Sequence, residues 1–112
     1  MTLDELKAYG ADVDTGLRRC ANKEALYLRL VEKVPKSDEF GRLKESIEKK
    51  EFDNAFELAH GLKGILTNLA LTPLSDPVSE ITELLRSRQE VDYSSYLACM
   101  EEALEKLKAI TG

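Results

Sequence analysis

The sequence is poor in the residues that most often announce a chemistry: its 112 residues include no tryptophan, one histidine, two cysteines and three prolines. Cys20 and Cys99 stand far apart and outside any CxxC or Cys/His spacing, which removes a zinc site. A reduced intracellular chain is the plain reading, with a single disulfide as the lesser alternative. One histidine and scattered carboxylates form no recognisable ligand set, so neither a bound metal nor a metal-dependent hydrolase is expected. At Met1-Thr2-Leu3-Asp4-Glu5 no basic region precedes an apolar run, and no signal peptide is read there. The longest weakly charged stretch, Gly64 to Ser75, is too short to span a bilayer. The expected setting is cytoplasmic, without membrane insertion. Positive charge is in deficit as well. Lys and Arg number 16 against 21 Asp and Glu, a formal net charge of -5, and no basic stripe is available to neutralise nucleic-acid phosphates. Neither a P-loop nor a kinase glycine-rich pattern occurs, so no ATP site and no autonomous kinase activity are expected.

What is present is leucine-rich amphipathic helix. Hydrophobic residues make up 43% of the chain, enough for one modest core, and residues 1–112 read as a single domain. Leu3 and Leu6 mark a short helix ended near Gly10, and Asp14 caps a brief turn carrying Leu17. Asn22 caps a helix with Leu26, Leu30, Val31 and Val34 at helical spacing until Pro35. Ser37 caps a segment with Phe40, Leu43 and Ile47 on one face. A central helix starts between Glu51 and Asp53 and runs to about Leu71. Asp76-Pro77 reads as a cap with proline at the first helical position, and Thr72-Pro73 offers an alternative start. That helix carries Val78, Ile81, Leu84 and Leu85. After a polar connection from Arg86 to Glu90, Asp92 caps a last helix with Leu97, Met100, Leu104, Leu107 and Ile110. Short connections place successive helices antiparallel. The fold class is all-α: an up-and-down antiparallel four-helix bundle with additional short N-terminal helices.

The central helix is the informative one. At about 100° per residue, Leu58, Leu62 and Leu69 lie roughly opposite His60, with Ala55, Ala59, Ile65 and Leu66 flanking that apolar side. Burying the stripe turns His60 outward. Lys63, Gly64, Thr67 and Leu71 share the histidine's face, with Phe56 one turn earlier, and Lys63 is within reach of an anion on the ring. Gly61 and Gly64 each cost about 1 kcal/mol against alanine in a helix interior. Close approach of a partner to the histidine explains them, and close helix packing is the structural alternative. An ordinary surface histidine is the alternative reading of His60 itself.

The run Ala59-His60-Gly61-Leu62-Lys63-Gly64, continued by Asn68-Leu69-Ala70-Leu71, resembles the core motif of the histidine phosphotransfer (HPt) domains of multistep two-component phosphorelays. Gly10-Ala11-Asp12-Val13, Gly16-Leu17-Arg18-Arg19 and Leu26-Tyr27-Leu28-Arg29-Leu30 are similar to the family's N-terminal region, so the likeness covers roughly Gly10 to Arg86. Two departures stand out: Cys20-Ala21-Asn22 lies where glycines often occur, and Ala70 replaces a frequent glycine. The resemblance implies a four-helix bundle, a phosphorylated nucleophile at His60, phosphoryl charge stabilisation by Lys63 and steric access for a receiver at Gly64. The docking face around them comprises Phe56, Gly61, Thr67, Asn68 and Leu71.

A neutral imidazole is a competent nucleophile, and phosphoryl transfer is governed by positioning and charge stabilisation. The expected function is to carry a phosphoryl group on His60 between aspartyl-phosphate receiver domains. The expected partners are response-regulator receivers and a hybrid sensor kinase, met by a monomer. No cofactor is expected, with Mg2+ confined to the receiver. The alternative is a helical interaction module that docks on a kinase or receiver without phosphotransfer; a plain structural bundle is a third.

Overall fold

Seven α-helices form among the described residues, and their boundaries follow local chemistry: α1 Leu3–Tyr9, α2 Val13–Arg19, α3 Glu24–Lys33, α4 Glu39–Glu48, α5 Phe52–Asn68, α6 Thr72–Arg86 and α7 Ser94–Thr111. The computed structural model describes residues 1–88 and 90–111. Gln89, within the predicted polar connection, and Gly112, the end of the predicted domain, lie outside them.

A reciprocal capping box between Thr2 and Glu5 starts α1, and Gly10 ends it at φ 115°, a conformation open to glycine. Asp12, not Asp14, caps α2 by accepting from the Thr15 amide at 3.2 Å. Asn22 does not cap α3. It sits in the left-handed turn at φ 58°, and Lys23 occupies the N-cap position. The alternative start at Thr72-Pro73 is the real one for α6: Pro73 lies in the first turn, and burial of Leu71 and Leu74 draws the chain into helix before Asp76. Pro77 is consequently inside the helix. The Asp92 carboxylate, one residue ahead of the N-cap position at Tyr93, accepts from the Ser94 amide at 2.9 Å at the start of α7.

Helices α4 to α7 are the bundle. Sequence neighbours pack on one another, and a Lys44–Glu101 pair at 2.9 Å links α4 to α7 across the seam. The bundle core includes Phe40, Leu43, Ala55, Ala59, Leu62, Leu66, Val78, Ile81, Met100 and Leu107. The first three helices are tied to it by specific bonds. The Tyr9 hydroxyl donates to the Ala103 carbonyl and the buried Tyr27 hydroxyl to the Leu69 carbonyl, both at 2.9 Å. The Asp12 amide donates to the Ala70 carbonyl at 3.0 Å. Thus α1 rests on α7, while α2 and α3 close over the C-terminal end of α5.

Two expectations about α5 are corrected. The helix stops at Asn68, because Ala70 turns the chain through φ 54°. Leu71 therefore leaves the histidine's face and is fully buried as the N-cap residue of α6, so it is no docking residue. Ile65, assigned to the flank of the apolar stripe, is 48% exposed.

Candidate functional site

Helix α5 buries Ala55, Ala59, Leu62 and Leu66, and that face orients the rest. Each buried leucine contributes about 1.5–3 kcal/mol, so the helix cannot rotate without losing several. His60 is held on the exposed side midway along it, as the leucine spacing predicts. One turn earlier, the Phe56 ring stacks on the imidazole, with centroids 5.7 Å apart and planes at 15°. From α6 the Arg86 guanidinium lies over the same phenyl ring, 5.2 Å from its centroid. The imidazole is thus backed by an aromatic plate that is itself covered by a cation.

Lys63 lies one turn beyond His60 and reaches across to α6, where its ammonium donates to Glu83 Oε1 at 3.3 Å. The other oxygen of Glu83 meets Arg86 Nε at 3.4 Å. The hydrogen bond from Lys63, against opposing desolvation and reinforced by Arg86, holds the Glu83 carboxyl below the usual carboxylate range.

Gly61 and Gly64 are exposed, and a Cβ added at either would meet nothing within 4 Å. Close helix packing therefore does not explain them; they leave the approach to His60 clear. Thr67 and Asn68 are exposed beyond Gly64, while Phe56 is half-buried. A shallow recess gathers His60, Lys63, Gly64, Thr67 and Asn68, together with Arg19 from α2. Arg19 donates to the Thr67 carbonyl. That carbonyl already accepts from the Leu69 and Ala70 amides, so the bond places a guanidinium at the rim without filling a vacant acceptor. Among the described residues no group of three or more His, Cys, Asp or Glu side chains is arranged to hold a metal ion.

The structure therefore brings together His60, Lys63, Gly64, Phe56, Thr67 and Asn68, and separates Leu71 from them. Sequence reasoning missed Arg19, Glu83 and Arg86 as members of the site. Nothing in the local sequence marks Arg19, which reaches the recess only because α2 is strapped to the end of α5. For Glu83 and Arg86 the only signal is their spacing of three along one helix.

The model of the Hpt domain family matches residues 37–110, more than half of the chain. The matched segment holds α4 to α6, α7 short of its last residue, and every recess residue except Arg19, while it omits the N-terminal region where similarity was also expected. No curated protein and no solved structure matches the chain.

Proposed function

The chain belongs to the Hpt domain family, which serves histidine phosphotransfer in two-component systems, and from that premise we propose that His60 carries a phosphoryl group between aspartyl-phosphate receiver domains of a multistep phosphorelay. The observation that carries this reading is an exposed imidazole midway along a rigid helix, with an ammonium one turn away and two glycines clearing the approach.

In the step proposed, the outward ring nitrogen of neutral His60 attacks the phosphorus of the receiver's acyl phosphate. The N–P bond forms as the acyl O–P bond breaks, and the receiver's carboxylate leaves with the bonding pair. The other ring nitrogen keeps its proton until solvent removes it. Phe56 limits rotation of the ring, and Lys63 offsets charge on the transferring oxygens. Magnesium belongs to the receiver in this scheme. Onward transfer to a second receiver reverses the same bonds. Docking would use Gly61, Gly64, Thr67 and Asn68, with exposed Ile65 supplying an apolar contact at the edge.

The test is incubation with a receiver loaded with phosphate on its aspartate. Acid-labile, base-stable phosphate should appear on the wild-type chain and be absent from His60→Gln, whose thermal melt should match wild type because the side chain is outside the core. Phosphate retained by the variant defeats the assignment. Binding without transfer would instead make the chain a docking module.

A further inference from the structure

Lys63, the cation expected to meet the phosphoryl group, is already engaged in the resting protein. Its ammonium is bound by Glu83, and Glu83 is bound a second time by Arg86. The structure assigns Glu83 as a positioning residue that parks Lys63 at the edge of the recess and releases it, retaining Arg86, when His60 becomes phosphorylated. This rests on the reading of His60 and Lys63 given above and adds a regulator of the same site.

Three observations carry it. First, Glu83 presents one oxygen to each cation, so departure of Lys63 leaves the carboxylate with a partner. Second, Lys63 is about one-third exposed, at 34%, and Glu83 is exposed, at 57%, and pairs in contact with water hold weakly against competitors. A phosphoryl group, with nearly two negative charges and three acceptor oxygens, outcompetes a single carboxylate for one ammonium. Third, Lys63 is anchored one turn from His60 on the same helix, so rotation of a flexible four-carbon stem suffices to change partners. No helix has to move. Arg86 is less free to follow, since it also covers the Phe56 ring.

The arrangement makes Glu83 a brake on acceptance. Each transfer must detach Lys63 from it, and each return restores the pair. Glu83→Gln removes the charge that holds Lys63 and should accelerate phosphorylation of His60 about threefold, the scale of an exposed ion pair.

The experiment uses phosphoramidate on the full chain. The N–P bond to His60 forms, the donor's own P–N bond breaks, and ammonia leaves with a proton. Four proteins are compared: wild type, Glu83→Gln, Lys63→Met and the double variant. Acceleration by Glu83→Gln should be present in wild type and nearly absent in the Lys63→Met background. An equal acceleration in that background overturns the proposal, because Glu83 would then act by its own charge. No acceleration in wild type overturns it as well. If the wild-type chain takes no phosphate, the carrier reading itself has failed; a wild type that is phosphorylated while Glu83→Gln changes nothing sinks the brake alone. Nitrogen NMR of the Lys63 ammonium gives a readout that a structural role would not move. Its signal should respond to Glu83→Gln before phosphorylation and be insensitive to it afterwards. Persistent sensitivity overturns the release.

Discussion

Gly64 is a helix-interior residue with open space where its side chain would be, so stability and access pull in opposite directions there. Alanine at this position should raise stability by about 1 kcal/mol, read as an upward shift in the thermal melt, and should leave small-donor phosphorylation intact. Glutamine should also fold, yet stand between His60 and an approaching receiver. A displacement of about 1 Å can cost about a hundredfold in rate. Receiver-driven transfer should therefore fall steeply in Gly64→Gln while phosphoramidate labelling changes little, and equal effects on both donors would refute a steric gate. The unusual residues elsewhere obey backbone chemistry. Ala21, Asn22 and Ala70 all have φ between 54° and 58°. That region is where a missing Cβ helps, and these turns keep their shape without it.

Between elements, α2 approaches α3 closely at Gly16. A Cβ on buried Gly16 would lie 2.5 Å from the Tyr27 ring, whose hydroxyl is fixed on the Leu69 carbonyl. The ring cannot retreat without giving up that bond. Gly16→Ala should cost about 1–3 kcal/mol through overpacking, measured by denaturant unfolding, in contrast to the gain at Gly64. A neutral result would show that α2 shifts freely and does not hold Arg19 in place. Legibility divides along the same line. Lys63 and Gly64 could be set beside His60 from sequence because a helix converts separations of three and four into adjacency. Leu71 was misplaced by extending that rule past the point where Ala70 breaks the helix. Arg19, Glu83 and Arg86 enter the site through packing between helices, which periodicity does not encode. The bundle itself was readable, since its leucine stripes specify which faces must meet; the start of α6 was not, because two Asp/Thr–Pro-like signals compete and burial of Leu71 and Leu74 decides between them.

At the scale of the whole molecule, the buried Tyr27 phenol and the half-buried Tyr9 phenol tie the N-terminal helices to the bundle and make stability sensitive to alkali. Burial first, with Cys20 and Asp12 adding, pushes Tyr27 up from its ordinary value of 10.0 to about 12, and burial raises Tyr9 as well. A folded-state pKa above the unfolded one gives stability that is complete below about pH 10 and lost as pH rises through about 12. For Tyr27 that loss is about 2–3 kcal/mol. Thermal melts should fall across that window, and less steeply in Tyr27→Phe, which starts lower for want of the bond to Leu69; parallel slopes would exclude the phenol as the cause. The recess itself is open on its outer side, with exposed His60 and two glycines that cover nothing. Among the described residues no lid excludes water from a group attached there. A phosphorylated ring would face bulk solvent whenever no partner was seated, and hydrolysis would then compete with delivery. If His60 carries phosphate as proposed, hydrolysis would bound the lifetime of the message, and one left unclaimed would erase itself.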